Sequence, residues 1–328
     1  MKPKMNKRER FIVYGVLLVA FVVSLFVDLQ VTQRLYDPEN AFGKAFELIA
    51  EVPAFTLMVF ASSLLAFHHP KLEKKWLNIL LTVIFVALAV GIAVYGGNHF
   101  RHLLNRVTKL AFPSWLAIVY AAVYLTLGMP WVFMIKNQST KEICVFGATV
   151  ICLFVATLLI MQGLKLLWLR PRYRTLVAMY GNDAASFWLP VYSPQGFWVF
   201  DTKYPEPNYT VLNALGITEW GKEEFYSFPS GHTLHAVVPM VVTLIASFVP
   251  KLEGKQGYVR LGFYAWGALT AVSRIIRGAH NLSDVVVGYF IGVLAFDLAS
   301  TFLLPALRKL YEKIFEKKKE EPEVSLEH

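Results

Sequence analysis

Two histidines stand in polar islands of an otherwise apolar chain, each beside groups suited to an anion. His232 closes the run Pro229, Ser230, Gly231, His232, at the point where a hydrophobic stretch begins. A helix start presents unbonded N–H groups and the positive end of the helix dipole, and glycine lets backbone approach a ligand closely. His280 lies in SRIIRGAHNLSD, residues 273–284, after Arg274 and Arg277 and four positions before Asp284. On one helical turn that carboxylate faces the ring, where it would fix the tautomer and raise the basicity of the imidazole. A third island, KLLWLRPRYR at residues 165–174, adds Lys165, Arg170, Arg172 and Arg174. Arginine forks match phosphate oxygens, so a phosphate is the ligand these groups predict. One histidine would then attack phosphorus, the other would protonate the departing oxygen, and the cations would stabilise the crowded charge. The sequence shows no Asp/Glu cluster fit for Mg²⁺ and no His/Cys set with zinc spacing, which predicts chemistry with no metal and no other cofactor.

The elements that must position these islands are membrane helices. Of the 328 residues 56% are hydrophobic and 17% charged, and the mean hydropathy is +0.48. A soluble domain of that composition would expose too much apolar surface. Continuous apolar runs, without the alternation of barrel strands, give an all-α, polytopic transmembrane bundle of about eight helices. The expected spans are 11–31, 46–67, 76–96, 114–135, 143–168, 233–249, 259–277 and 283–305. The first follows MKPKMNKRER and lacks a small-residue cleavage site, so it is expected to stay as an anchor. The formal net charge of +9 is not read as a nucleic-acid footprint, because the basic residues cluster between spans. Segments that fall on one side of an eight-span chain hold 19 of the 32 Lys and Arg. The positive-inside rule makes that side cytoplasmic, with both termini inside and all three islands outside. The expected location is a bacterial inner membrane, with a site facing the periplasm or the exterior. HFRHLLNRVTKLAF, residues 99–112, opposes this rule with Arg101, Arg106 and Lys109, and is read as an interfacial amphipathic helix.

PSGH, followed by Ser273-Arg274, His280 and Asp284 in the pattern SR-x5-H-x3-D, resembles two signatures of the type 2 phosphatidic acid phosphatase superfamily. The family's first signature is K-x6-R-P. Here Lys165 and Arg172 keep the spacing but Tyr173 replaces the proline, whereas Arg170-Pro171 keeps the pair and shortens the gap. Arg172 is preferred and Arg170 is the alternative. The resemblance implies that His280 is the nucleophile, oriented by Asp284, and that His232 is the general acid. It further implies that Lys165, Arg172, Ser230, Gly231 and Arg274 hold the phosphoryl oxygens. Membrane members of the family have six helices, so residues 72–308 are expected to form a six-helix core that includes an outer loop, 170–232. Residues 1–71 would be a two-helix N-terminal extension, and 309–328 a charged tail ending in vector-derived LEH. The implied activity is metal-independent hydrolysis of a lipid phosphate or diphosphate, of the polyprenyl diphosphate, phosphatidic acid or phosphatidylglycerol phosphate type, through a phosphohistidine. Two alternatives are transfer of the phosphoryl group to an alcohol and non-catalytic capture or transport of an anionic lipid. The partners are a lipid substrate and the bilayer.

Other polar residues have quieter readings. His235, three positions past His232, faces the site or lines its entrance. Arg174 and Arg277 bind a second phosphate or anchor a surface. Asp297 makes an interhelical hydrogen bond, and Glu47 and Glu51 sit at the membrane interface. Trp188, Phe197, Trp198 and Tyr209 suit a layer at headgroup depth. Cys144 and Cys152 lie about 12 Å apart along a helix, too far for a disulfide.

Overall fold

The computed structural model describes residues 4–135, 137–194 and 222–316. Phe197, Trp198, Tyr209 and the terminal LEH lie outside the described residues. In chain order the helices are α1 (Lys7–Leu35), α2 (Ala41–Ile49), α3 (Val52–His68), α4 (Lys75–Thr108), α5 (Leu116–Gly128) and α6 (Pro130–Met134). They continue with α7 (Thr140–Trp168), α8 (Tyr173–Tyr180), α9 (Gly231–Val237), α10 (Gln256–Ile276), α11 (Leu282–Leu298) and α12 (Leu304–Tyr311). No strand occurs among the described residues. The chain is an all-α, polytopic bundle.

All eight expected runs fold as helix. Six helical stretches are long and apolar enough to cross a membrane: Lys7–Leu35, Ala41–His68, Lys75–Thr108, Leu116–Phe133, Thr140–Phe187 and Leu282–Glu316. The sixth expected run, 233–249, falls largely on Gly231–Ser247, which is apolar but shorter, and the seventh, on α10, falls outside the six. α1 and α4 turn Phe11, Leu18, Phe26, Ile79 and Val83 outward. Only a lipid environment makes such exposure favourable. The core lies between α3, α7, α9 and α11, around Phe60, Leu64, Phe146, Leu234, Val237 and Phe296.

Close approach in this core depends on small residues. A Cβ on Gly288 of α11 would lie 2.4 Å from the Ser230 carbonyl oxygen, and one on Gly292 about as close as 3.0 Å to Val237. α11 can therefore lie against the start of α9, where the Ser230 N–H donates to the Asp284 carbonyl at 3.0 Å. Gly278, at φ 59°, makes the turn after α10, and its carbonyl accepts from the Arg174 N–H at 2.9 Å. The Arg172 N–H donates to Glu224 and the Ser227 N–H to Arg170, both at 3.0 Å. These bonds knit the three polar islands into one layer at one end of the bundle.

The opposite end is closed by ion pairs. Arg10 at the start of α1 reaches Asp297 at 2.6 Å, and Arg260 reaches Glu9 at 2.7 Å. Tyr14 also donates to Asp297 at 3.2 Å. Asp297 thus makes the interhelical contact expected of it. The expected amphipathic helix at 99–112 is not a separate element. Most of it is the last part of α4, which runs unbroken to Thr108 and turns His99 and Arg106 inward against Glu51 and Glu47. The described part of the segment 1–71, expected as an extension, packs into the same layer: Asp28 on α1 and Glu47 on α2 are buried there.

Candidate active site

His280 stands in the loop between α10 and α11, and its side chain is 2% exposed. Its Nδ1 lies 2.5 Å from the Ser227 carbonyl oxygen. A carbonyl only accepts, so Nδ1 carries the proton and Nε2 keeps a free lone pair. Burial, reinforced by the Arg274, Arg172 and Lys165 cations, holds the pKa of His280 well below the usual histidine range. The ring is therefore a neutral imidazole with a bare nitrogen, the form a nucleophile needs.

Asp284 does not orient this ring directly. The helix begins only at Leu282, so His280 is not on the turn that would bring the pair face to face. Asp284 Oδ2 instead accepts from the Ser227 hydroxyl at 2.5 Å and from the Asn281 N–H at 2.7 Å, closing a capping box at the start of α11. It acts on His280 through Ser227, whose carbonyl fixes the tautomer. Its other oxygen takes Arg170 at 2.6 Å.

The two candidate arginines separate cleanly. Arg170 is 1% exposed. It donates to Leu189 at 2.7 Å, to Ser283 at 2.7 Å, to Asp284 at 2.6 Å and to Asp28 at 2.7 Å. Trp188 lies over its guanidinium at 5.1 Å. Its donors are spent on the protein. Arg172 has only Glu224 within ion-pair range, at 3.8 Å, and its Nε is buried without a hydrogen-bond partner. Arg274 is alike: Nε and one terminal nitrogen are buried and unpartnered, with Glu47 at 3.5 Å. His232 Nε2 is a fourth such atom, on the third residue of the set. Buried donors without partners are rare and costly in a folded protein. An arriving phosphate would give all three residues a partner.

Ser230 caps α9, its hydroxyl accepting from the Thr233 N–H at 3.4 Å. A Cβ on Gly231 would lie 3.7 Å from Lys165 Nζ and 2.8 Å from the Met161 sulfur, so glycine keeps the helix start open beside the lysine. The structure thus brings Lys165, Arg172, Ser230, Gly231, His232, Arg274 and His280 to one place. Arg170 and Asp284 stand behind it as support.

Sequence reasoning missed the acidic residues. Glu47, expected at the interface, is 0% exposed. It lies among Arg106 at 3.7 Å, Arg174 at 3.8 Å, Arg274 at 3.5 Å and Arg277 at 2.8 Å. Glu224 accepts from Arg174 at 3.2 Å and from Thr175 at 2.8 Å. Burial alone would raise its pKa, but the Arg174 and Arg172 cations hold its carboxyl far below the ordinary range. Glu51, likewise buried, takes His99 at 2.7 Å and His235 at 2.6 Å, with His232 Nε2 at 3.6 Å. His235 therefore binds Glu51 beside the site, and Arg174 and Arg277 are tied to buried carboxylates. Glu51, His99 and His232 also place three ligand atoms within 4.8 Å of one another, a grouping no sequence spacing announced. The available signal was charge inside apolar runs, which is expensive unless paired or functional.

A family comparison fits this geometry: residues 156–306 match the PAP2 superfamily. The matched stretch is a little under half of the chain. The match takes in every motif residue of the site and stops short of Asp28, Glu47, Glu51, His99 and Arg106, which precede it. Two phosphatidylglycerophosphatases B are among the chain's relatives. The protein from Bacillus subtilis (strain 168) is 34% identical over 84 residues, covering 24% of this chain and 40% of the relative. The one from Haemophilus influenzae (strain ATCC 51907 / DSM 11121 / KW20 / Rd) is 27% identical over 194 residues, covering 55% of this chain and 73% of the relative. The chain thus spans less than half of the first relative's length. No solved structure gives a significant match.

Proposed function

We propose that this protein is a lipid phosphatase of the PAP2 superfamily that works through a phosphohistidine without a metal ion. The carrying observation is the set of buried, unpartnered donors on Arg172, Arg274 and His232 beside a His280 ring whose proton is held at Nδ1. His280 Nε2 attacks phosphorus, and the bond to the lipid oxygen breaks. His232 gives its proton to that departing oxygen, leaving the lipid alcohol and a phosphorylated His280. Water then attacks the same phosphorus. His232, now neutral, takes the water's proton, and release of phosphate restores His280. Burial holds the His232 pKa well below the usual histidine range, and Glu51, 3.6 Å from its Nε2, is the nearby charge that opposes this and supports the protonated ring that the first step needs. Lys165, Arg172, Arg274 and the N–H groups at the start of α9 spread the developing negative charge.

The lipid setting follows from α1 and α4, whose outward faces are apolar. The outer-face assignment rests on α1. Arg10 sits at its basic, N-terminal end and Asp28 at the site end, about 27 Å apart along the axis. With the N-terminal charges inside, the site opens on the periplasmic or external side. Both phosphatidylglycerophosphatase B relatives support a glycerolipid phosphate as substrate. Delivery of the phosphoryl group to an alcohol would use the same intermediate, and a labelled acceptor lipid separates the two outcomes.

The test is phosphate release in detergent across a panel of lipid phosphates. Vanadate should inhibit at micromolar levels by adopting the five-coordinate geometry of the attacked phosphorus, and EDTA should leave the rate unchanged. The grouping of Glu51, His99 and His232 supports one rival reading, in which a divalent ion held there assists the reaction. A rate lost in EDTA and restored by a divalent ion would establish that rival. Glu51→Gln offers a second check. It should lower kcat by about tenfold, because the neutral amide no longer favours protonated His232, while KM holds. An unchanged kcat would remove Glu51 from this role.

A further inference from the structure

We infer that Glu51, His99 and His232 form a binding site for zinc or a similar transition-metal ion, and that the filled site switches the enzyme off by occupying His232. The binding half stands on geometry alone, and the inhibitory half rests on the reading of His232 as general acid. The three residues come from distant elements: Glu51 caps α3, His99 lies on α4 and His232 in the first turn of α9. Their ligand atoms all lie within 4.8 Å of one another, the one such group among the described residues. Glu51 Oε2 stands 2.7 Å from His99 Nε2 and 3.6 Å from His232 Nε2. With bonds of about 2.0–2.1 Å, neighbouring ligands of a tetrahedral zinc ion stand about 3.4 Å apart, so small side-chain shifts would seat the ion. His232 Nε2 is buried with no hydrogen-bond partner, a nitrogen in want of a ligand.

The surroundings fit a metal site. Two imidazoles and one carboxylate suit Zn²⁺, Co²⁺, Ni²⁺ or Cu²⁺, whereas Mg²⁺ and Ca²⁺ want a shell of oxygens. His235 Nδ1 holds the other Glu51 oxygen at 2.6 Å, which leaves Oε2 turned to the two rings. Phe55 and Tyr95 flank the His99 ring at 6.0 and 6.3 Å between centroids and fix its place. The His99 side chain is 31% exposed, which gives the ion a way in. On binding, the ion replaces the proton that His99 Nε2 shares with Glu51, and that imidazole carries its proton on Nδ1 instead. At His232 the ion takes the Nε2 lone pair. A proton and a metal ion cannot share that lone pair, so the filled site has no acid for the departing lipid oxygen. Glu51 and His99 precede the family-matched residues 156–306, so the site joins one motif histidine to helices outside the matched stretch.

His99 is the residue to change. His99→Phe keeps a ring between Phe55 and Tyr95 and removes the ligand, while Glu51 keeps His235. Should that variant fold poorly, His99→Gln takes its place, since its amide can still donate to Glu51. The full-length protein in detergent, titrated with Zn²⁺ against a chromophoric chelator, should bind one ion per chain with a Kd of about 1 µM or tighter. His99→Phe should weaken binding by about 100-fold or more, and His235→Gln, which loosens only the support of Glu51, by about tenfold. Co²⁺ in the same site should give visible absorption stronger than that of the aqueous ion, lost in His99→Phe. Phosphate release by the wild-type protein should fall over the same range of Zn²⁺ concentration, mainly in kcat, and return when EDTA is added. His99→Phe should turn over without metal and resist zinc, whereas zinc that merely sequestered the lipid phosphate would slow both proteins alike. No saturable zinc binding, or binding that His99→Phe leaves as tight, overturns the site. A bound ion that raises the rate overturns the inhibitory role and supports the metal-assisted rival. If the wild-type protein hydrolyses no lipid phosphate, the phosphatase reading fails, and the titration alone decides whether the metal site exists.

Discussion

His280→Ala abolishes phosphate release, by on the order of 10³-fold or more, and leaves the protein folded. The expectation follows from how little His280 does for the fold. Its one described hydrogen bond is to the Ser227 carbonyl, and the backbone around it is held by other contacts: Ala279 and His280 N–H groups to Arg274, and Asn281 to Asp284. Losing one neutral hydrogen bond costs about 1 kcal/mol, a small part of the stability of a helical bundle. His280→Asn sharpens the test, since an amide can still donate to Ser227 but offers no nucleophile, and it should be as inactive as alanine. His232→Ala should differ in kind. Without the general acid, a lipid alkoxide leaves poorly, whereas nitrophenolate needs no proton to depart. The His232 variant should therefore lose far more activity on a lipid phosphate than on nitrophenyl phosphate, and the His280 variants should fail on both. Full turnover by a folded His280→Ala protein would remove the phosphohistidine from the mechanism. The depressed pKa of His280 adds a pH signature. Because the folded protein favours the neutral ring, the nucleophile stays unprotonated below pH 6.5, and the acidic limb of kcat/KM lies beneath that of an ordinary histidine.

The sequence revealed the parts of this site whose chemistry is written in short motifs. Polar residues inside apolar runs are conspicuous, and Lys165, Arg172, Ser230, His232, Arg274 and His280 stood out for that reason. It could not reveal pairings between distant helices. Asp28, Glu47 and Glu51 lie in or beside the first two apolar runs, and each is buried only because a particular arginine or histidine from another helix meets it. That partner is set by bundle geometry, which local pattern does not encode. The reading of Asp284 went astray for a related reason. Spacing of four places two residues on one face only if both are helical, and the helix begins at Leu282, capped by Asn281, two residues after His280. The basic segment near residue 106 looked like a breach of the charge rule because its role lies inside the protein: Arg106 answers Glu47.

The second large effect separates two arginines that the sequence left as rivals. Arg170→Ala should destabilise the protein by about 3–5 kcal/mol, because it strands two buried carboxylates, Asp28 and Asp284, that the guanidinium now bridges at 2.7 and 2.6 Å. It should appear as a large fall in the melting temperature in detergent or as loss of expressed protein. Arg172→Ala should do the opposite. Its Nε has no partner to lose and Glu224 keeps Arg174 and Thr175, so the fold survives while kcat/KM drops by about 10²-fold for want of a phosphate donor. A double substitution tests the bridge itself. Asp28→Asn together with Arg170→Ala removes one of the stranded charges and should recover part of the lost stability without restoring the wild-type rate. Should Arg170→Ala instead leave the melting temperature intact and abolish activity, while Arg172→Ala unfolds the protein, the roles are reversed: Arg170, three places before Tyr173, would be the phosphate ligand, and the bridge between α1 and α11 would be dispensable for the fold.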